Sequence, residues 1–424
     1  MPGTGDAAPA VAGAVLPAAG ADPRVRHNVT VLGVTSGWAN LAMQTWNPVV
    51  PLLLERHGAP AFGVAAAYAA SNLGGAAFQY AGGLLADRLG SRWLVAVPTF
   101  ASAALWLVMA LSGSWQVMAA AYVAVQVVFG IQTPAWTTLI ADSTPLVRRT
   151  AAFTSYNFLV APAYILGPLA GGLLVLPFLS PPVYIGATAA SFLVVGVARL
   201  RWLGEPRGAV ASRRPAHRPA GGAVAAMRAA ILGSATRRRL LGVSMGSASV
   251  VALTITGPFL SLVAHGLDGL AARQIDLLFA VGALGMIAAS LVAERLARRV
   301  GEPATLAIAL VATAAAVAAF TLRAALWDAT LVFVLLFAGY QLGVIAIGSL
   351  RAEWAAGQDI GAAIGGTAAA AGLVVFGAVA LGGALQGVLG PGGPLVLAAV
   401  LALLTAGLAV LPLPAAPEGA GAPR

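Results

Sequence analysis

The sequence predicts an all-α integral membrane protein with twelve transmembrane helices, arranged as two pseudo-symmetric six-helix bundles. Three observations support this prediction. Apolar segments long enough to cross a bilayer recur along the chain, arginines are distributed unequally between alternate connecting segments, and one charged turn is repeated at about half the chain length. We expect a multi-pass protein of the cell membrane, the inner membrane in a bacterium, with both termini in the cytoplasm.

The apolar segments account for most of the chain. Of its 424 residues, 59% are hydrophobic and 9% are charged, which is far less charge than the surface of a soluble protein carries. A helix of about 20 apolar residues crosses a hydrocarbon core of about 30 Å. The predicted spans are 29–54, 63–86, 93–112, 115–140, 150–175, 181–200, 240–264, 275–293, 303–322, 328–350, 360–385 and 393–412.

The distribution of arginine predicts the orientation of these spans. All 24 basic residues are arginines. With a cytoplasmic N-terminus, 21 of them fall in cytoplasmic segments, and only Arg56, Arg273 and Arg323 fall in outer segments. This asymmetry is the positive-inside pattern of membrane proteins. The net charge of +10 therefore reflects topology and favours contact with anionic lipids, and it does not predict nucleic-acid binding.

A basic segment, 201–239, separates the predicted halves 28–200 and 240–412. Its proline and glycine content predicts a cytoplasmic linker, with the alternative that 223–235 forms an amphipathic surface helix. The ends, 1–27 and 413–424, are expected to be disordered cytoplasmic tails. Nothing in the sequence requires an oligomer, so a monomer is expected.

A charged turn lies between the second and third predicted spans, at residues 82–92. Its Ala-Asp-Arg-Leu segment, 86–89, matches Ala-Glu-Arg-Leu at 293–296, which lies 207 positions later. The repeat predicts that the chain is a duplicated helical bundle, an organisation typical of transporters.

Residues Gly83 to Arg92 resemble the signature loop of the major facilitator superfamily, with Ser91 at a position that is usually basic. The resemblance implies a cytoplasmic latch, in which Asp87 contacts the amides at the start of span eleven near Gly361. It also implies that Asp142 pairs with Arg88 or Arg92. Weak exposed ion pairs are the alternative for Arg148 and Arg149. The candidate latch residues are Gly83, Asp87, Arg88, Gly90, Arg92, Asp142, Arg148, Arg149, Glu294 and Arg295.

A second motif lies in span five, where the sequence reads Gly167-Pro168-Leu169-Ala170-Gly171-Gly172. It resembles the Gly-Pro-x-x-Gly-Gly motif that is enriched in exporters and antiporters of the same superfamily. Proline removes a backbone hydrogen bond and glycine softens a helix, so a bend beside span eight is expected. The resemblance favours efflux, although a structural kink in an importer would carry the same residues.

Polar side chains within the spans predict a substrate cavity. Ser36, Asn40, Gln44 and Asn47 recur every three or four residues, which places them on one helical face. Lipid would penalise such a face, and the superfamily resemblance implies that spans one, four, seven and ten line a central cavity. Bonds to the residue's own helix backbone and static bonds between helices are the alternatives. The candidates are Ser36, Trp38, Asn40, Gln44, Asn47, Gln126, Trp136, Asn157, Ser247, Thr254, Tyr340 and Gln341.

Charged residues are expected at the ends of spans and not at their centres, which predicts a neutral or amphipathic substrate. Proton coupling would therefore use an edge carboxylate, Glu55 or Asp276, or the loop pair Asp87 and Asp142. Facilitated diffusion without coupling is an alternative.

Other chemistries lack their residues. The chain has no cysteine, its four histidines show no metal-ligand spacing, and neither a phosphate-binding loop nor a catalytic signature is found. We therefore expect neither an enzyme nor a cofactor. The predicted function is secondary transport by alternating access, exporting a small neutral or amphipathic compound, with membrane lipids and, in a coupled mechanism, a proton as partners. The alternatives are uptake or facilitated diffusion of a sugar-like or other polar metabolite, and a non-transporting membrane sensor or scaffold.

Overall fold

The computed structural model describes residues 27–145, 148–206, 235–322, 326–355 and 360–411. All regular secondary structure in these ranges is helical. The first half contains α1 Asn28–Gln44, α2 Val50–Arg56, α3 Ala61–Leu89, α4 Ser91–Leu111, α5 Trp115–Asp142, α6 Arg149–Val160, α7 Ala163–Ala170 and α8 Pro181–Trp202. The second half contains α9 Ala235–Thr254, α10 Phe259–Asp268, α11 Ala272–Val300, α12 Glu302–Leu322, α13 Leu326–Ala355, α14 Ile360–Leu389 and α15 Gly393–Val410. A 3-10 helix, Asn47–Val49, joins α1 to α2, and a π-helix, Gly171–Val175, continues α7.

These helices confirm the prediction of an all-α membrane protein. Within the described ranges, 10 helical segments are long and apolar enough to cross a bilayer. Predicted spans one and two are not among them. The count of twelve therefore stays a prediction. Large apolar side chains such as Val194 and Leu404 are about two-thirds exposed, as expected for helices that face lipid.

The basic linker and both tails lie mostly outside the described residues. Helix α8 extends to Trp202 and α9 begins at Ala235, so both ends of the predicted linker 201–239 are helical. The alternative surface helix at 223–235 falls almost entirely outside the described part of the chain. Arg239 lies within α9, and its Nε donates to the Leu408 carbonyl oxygen at 2.8 Å. A cation at the carboxyl end of α15 complements the helix dipole there.

The two halves repeat the same helix lengths. Helices α3 and α11 each have 29 residues, and α4 and α12 each have 21. Both 29-residue helices end at a glycine with positive φ, Gly90 at 89° and Gly301 at 83°, a conformation that a side chain would strain. The helix ends are therefore 211 residues apart (301 minus 90). Since the sequence repeat has an offset of 207, Glu294 lies one helical turn earlier in its helix than Asp87.

The first transmembrane segment of each half is broken near its middle. In the first half the break lies between Gln44 and Val50, and in the second between Thr254 and Phe259. Prolines explain both breaks, because Pro48 lies in the first and Pro258 precedes α10. Proline lacks the backbone donor that a continuous helix needs. The α-helix is therefore interrupted at equivalent positions of the two halves, inside the bundle.

Aromatic side chains form the core of the first half. The Trp46 and Trp106 rings meet edge to face, with centroids 5.2 Å apart, a favourable arrangement. Both indoles are fully buried. Trp46 Nε1 donates to Thr188 Oγ1 at 2.9 Å, which fixes the start of the 3-10 helix against α8. The core thus holds the break in the first segment in place.

Small residues bring the two halves together. Helix α14 packs along α3, and a methyl group added at Gly383 would overlap Ala65. At the other long contact, α7 and the π-helix pack against α11. Close helix approach in membranes relies on such small residues. The contact between α3 and α14 therefore has little room for larger side chains.

Gly82 and Gly83 provide a test of close packing within the first half. A methyl group at Gly82 would overlap the Ile131 backbone on α5, whereas nothing lies within 4 Å of one at Gly83. We expect Gly82→Ala to lower the free energy of unfolding by about 1–3 kcal/mol. Gly83→Ala should leave it unchanged or raise it slightly. Melting temperatures of the purified variants in detergent measure the difference, and equal values would contradict the packing.

Candidate functional site

A cavity of about 570 Å³ lies between the two halves of the bundle. Its walls come from α1, α3, α5 and α7 of the first half and from the broken segment, α11 and α13 of the second. None of the described residues that line it is charged. The lining residues are Gln44, Asn47, Pro48, Tyr68, Ser71, Asn72, Tyr122, Gln126, Tyr164, Pro168, Ile255, Thr256, Gly257, Ser261, Phe279, Ala283, Met286, Phe337 and Tyr340.

The wall from the first half is polar. Asn47 Oδ1 is buried and has no hydrogen-bond partner. By contrast, Asn72 Nδ2 donates to the Tyr68 carbonyl oxygen at 2.8 Å, and the Tyr68 and Tyr122 rings pack with their centroids 5.2 Å apart. A buried polar atom without a partner is costly. Asn47 is therefore an acceptor that a bound molecule can satisfy.

The wall from the second half is largely apolar. The Phe279 and Phe337 rings meet edge to face with centroids 5.6 Å apart, and Met286 and Ile255 extend the same surface. Aromatic rings and a flexible thioether adapt to apolar molecules of different shapes. The cavity as a whole is amphipathic, with its polar and apolar sides on different halves of the protein.

The structure places the predicted cavity residues in three settings. Gln44, Asn47, Gln126 and Tyr340 line the cavity. Gln341, on the same helix as Tyr340, instead donates through Nε2 to Ser290 Oγ at 3.1 Å. The sequence analysis missed Tyr68 and Asn72 on α3, although a polar Ser-Asn pair within a predicted span was a usable signal.

Ser36 belongs to a second setting, a buried cluster around Arg199. The guanidinium of Arg199 donates to Ser36 Oγ at 2.8 Å, to Thr99 Oγ1 at 2.9 Å and to Thr35 Oγ1 at 3.2 Å. Only 3% of Arg199 is exposed. Asn40 Nδ2 donates to the Ser36 carbonyl oxygen at 2.8 Å. The cluster joins α1, α4 and α8, so these polar groups satisfy one another within the first half.

The remaining candidates lie away from the cavity lining. Trp38 is 55% exposed, Asn157 is exposed on α6, and Trp136 packs in the hydrophobic cluster around Leu139. In α9, Ser247 and Thr254 are both buried. The Ser247 hydroxyl has no hydrogen-bond partner, whereas Thr254 Oγ1 donates to the Val250 carbonyl oxygen at 2.7 Å.

The bundle has two ends that differ in charge. The end that carries the turns 57–60, 112–114 and 269–271 is called the arginine-poor end. The arginine-rich end carries the turns 89–91, 143–145 and 300–302. At the arginine-poor end the two broken segments touch, because Ser261 Oγ donates to the Pro48 carbonyl oxygen at 2.6 Å in a buried contact. The halves therefore meet directly between the cavity and this end.

The predicted bend motif lies at the same contact. Pro168 is inside α7, and the π-helix begins at Gly171, so a helical irregularity exists where the motif predicted one. Methyl groups at the motif glycines would overlap Gln44 (from Gly167), Asp276 and Thr45 (from Gly171) and Leu277 (from Gly172). The glycines of the motif thus allow α1 and α11 to pack closely against this segment.

The two edge carboxylates occupy different environments. Glu55 is half-buried in α2. Asp276 is fully buried in the second turn of α11, and neither carboxylate oxygen has a hydrogen-bond partner.

At the arginine-rich end, the signature loop is fixed by a residue from its own half. Glu205 accepts hydrogen bonds from the backbone N–H groups of Ser91 at 3.1 Å and Arg92 at 2.9 Å. It thus caps the start of α4, where a carboxylate also meets the positive end of the helix dipole. The Arg92 Nη2 donates to the Leu200 carbonyl oxygen at 2.6 Å. The sequence analysis did not identify Glu205, which is distant in sequence and lies in no recognised motif.

Asn28 ties two further segments to the same end. Its Nδ2 donates to Ser143 Oγ at 2.7 Å and to the Gly204 carbonyl oxygen at 2.8 Å, and its Oδ1 accepts from the Gly204 N–H at 2.8 Å. The starts and ends of α1, α5 and α8 are therefore joined beside the signature loop.

The predicted latch between the halves lies partly outside the described residues. The side chains of Asp87, Arg149 and residues 351–370 are among those not described, while Arg88 and Arg148 are exposed and Asp142 is partly buried. Glu294 and Arg295 are exposed on α11, and Glu294 pairs with Arg298 on its own helix at 3.0 Å. The latch therefore stays a prediction.

Comparison with known proteins identifies the family. The model of the Major Facilitator Superfamily matches residues 32–337. The chain belongs to this superfamily. It is accordingly a multi-pass membrane transporter and not an enzyme. No curated protein sequence matches the chain at a significant level.

Solved structures of other superfamily transporters share the fold. The human organic anion transporter MFSD10 is 20% identical, with a TM-score of 0.63 over 92% of this chain and 100% of that one. The nucleoside transporter NupG is 12% identical, with a TM-score of 0.69 over 89% and 97%. An inward-facing bacterial homologue of the human lysosomal transporter Spinster is 16% identical, with a TM-score of 0.66 over 92% and 97%. At these identities the similarity shows the fold alone.

The cap of α4 in this superfamily member can be tested by Glu205→Ala. Removing the carboxylate leaves two backbone donors unpaired, so we expect a loss of about 1–2 kcal/mol of stability. The measurement is the detergent melting temperature. The control is Glu294→Ala, which removes a carboxylate whose side chain is 78% exposed and should have little effect. Equal melting temperatures for the two variants would contradict the cap.

The superfamily latch can be tested by Asp87→Asn. If Asp87 stabilises the closed arginine-rich end by contact with the start of α14, neutralising it weakens that closure. A helix-dipole contact of about 0.3–1 kcal/mol corresponds to a change of about two- to fivefold in the conformational equilibrium. We expect a lower transport rate with an unchanged size-exclusion profile. A normal rate for Asp87→Asn at equal expression would refute the latch.

Proposed function

We propose that this transporter exports small neutral or amphipathic compounds across the cell membrane by alternating access. The observation that carries the proposal is the cavity of about 570 Å³ between the halves, which no described charged residue lines. An ionic substrate would leave its charge without a counter-charge in a poorly solvated site, which is costly. An uncharged molecule with one polar and one apolar side matches the two walls.

The polar wall supports a substrate that donates a hydrogen bond. Asn47 lies at the break in the first segment and lines the same cavity as Gln44, and its Oδ1 is buried without a hydrogen-bond partner. The phenyl rings of Phe279 and Phe337 would cover the apolar part of the molecule. Because the two walls belong to different halves, the bound compound would contact both halves during their rearrangement.

The direction of transport rests on the motif in span five. The irregular helix at Pro168 and Gly171 fits the exporter-like motif that the sequence carries. Uptake or facilitated diffusion of a polar metabolite is the second candidate, since the amides of Gln44, Asn72 and Gln126 could bind hydroxyl groups. Export would lower the cellular accumulation of a compound, whereas uptake would raise it.

The test is accumulation of fluorescent compounds in an efflux-deficient bacterial host that expresses the protein. The panel contains neutral, cationic and anionic compounds of similar size, each measured with and without a protonophore. We expect lower accumulation of neutral amphipathic compounds only. Higher accumulation would favour uptake, and export confined to charged compounds would contradict the proposed substrate class.

Asn47→Ala tests the cavity within the same assay. Loss of one neutral hydrogen bond costs about 0.5–1.5 kcal/mol, or about two- to tenfold in substrate affinity. We expect the half-saturating concentration of exported compounds to rise by this factor. The control is Gln79→Ala, which removes an exposed amide from α3. An unchanged half-saturating concentration in Asn47→Ala would exclude Asn47 from the binding site.

A further inference from the structure

One carboxylate is buried without a partner where the two halves meet. Asp276 is 0% exposed, and neither Oδ1 nor Oδ2 has a hydrogen-bond partner. An ionised carboxylate in such a place loses its hydration without compensation, at a cost of several kcal/mol. The closed contact therefore favours the protonated form of this side chain.

The neighbours of Asp276 belong to the other half of the protein. A methyl group added at Gly171 would overlap both Asp276 Oδ2 and the Thr45 carbonyl oxygen. These two oxygens thus lie side by side, with the glycine providing the space for them. A protonated carboxyl group can donate to a carbonyl oxygen, whereas an ionised one is repelled by it. Protonation would therefore hold α11 against the π-helix and α1.

Cations lie on the side of this contact that faces the arginine-poor end. Arg56 and Arg273 are exposed and line a second cavity of about 210 Å³ with Tyr184. If the halves separate here, water and these two guanidinium groups become available to an ionised Asp276. The other titratable groups on the surrounding elements are Glu55 on α2, Tyr164 on α7, His265 on α10 and Tyr340 on α13.

We propose that Asp276 is the proton-binding site that couples protonation to the opening of the arginine-poor end. In the closed arrangement the side chain carries its proton. When the end opens, the carboxyl group releases the proton to the entering water, and closure requires that a proton be taken up again. The site rests on the proposed alternating access, and it names the ion that controls this end and the residue that binds it.

The test uses the absence of native cysteine. A single cysteine replaces Leu53, which is 2% exposed and lines the second cavity, so a maleimide reaches it only when this end opens. The labelling rate is measured between about pH 5 and about pH 9 and divided by that of a cysteine at exposed Gly113, which corrects for thiol ionisation. We expect the ratio to rise with pH, by at most about tenfold per unit.

Variants assign this response to one residue. In an Asp276→Asn background, which keeps the neutral form, the ratio should be low and independent of pH. Glu55→Gln is the matched control, because it removes the other carboxylate at this end and should preserve the response. An unchanged pH response in Asp276→Asn, or a flat response in the parent protein, would overturn the proposal.

Gly171→Ala is a second variant that does not alter the carboxylate. Its methyl group would displace Asp276 from the contact, so we expect fast labelling already at low pH, and slow labelling would count against the geometry. Replacing choline with sodium at fixed pH tests the ion, since a sodium-dependent ratio would contradict a proton site. The labelling assay needs no substrate. If the protein exported no compound in the accumulation assay but its labelling ratio still rose with pH, only the proposed function would be refuted.

Discussion

The absence of water from the hydrocarbon core is the constraint on which this structure depends. Every polar group within the bundle must find a partner in the protein or face an enclosed cavity. Arg199 meets the requirement through three hydroxyl groups, and Trp46 meets it through Thr188. These satisfied groups lie within the first half and hold its helices together, so that this half can act as one unit.

Two of the buried groups without a hydrogen-bond partner lie at the boundary between the halves. Asn47, whose Oδ1 is buried and unpaired, lines the cavity, and the Asp276 carboxylate lies at the closed contact near the arginine-poor end. Both lie at or opposite the broken first segment of the first half. A boundary that must open and close cannot hold permanent strong bonds, because each would have to break in every cycle. The same boundary uses glycine and alanine, whose contacts separate at little cost.

The cavity candidates show what helical periodicity can predict about a side chain and what it cannot. Of the predicted stripe Ser36, Asn40, Gln44 and Asn47, only the second half, Gln44 and Asn47, lines the cavity. Its first half is bound to Arg199. Periodicity gives the direction of a side chain around its helix. It does not give the depth at which a neighbouring helix contributes a partner, such as Arg199 near the end of predicted span 181–200.

The sequence by itself determined the all-α membrane fold, the duplication and the family, because these follow from the length and apolarity of the segments and from a short local motif. Tertiary structure decided which polar groups meet. The capping of α4 by Glu205 and the burial of Asp276 against Gly171 each depend on contacts between residues distant in sequence. Such contacts are set by the packing of whole helices, which no local pattern encodes.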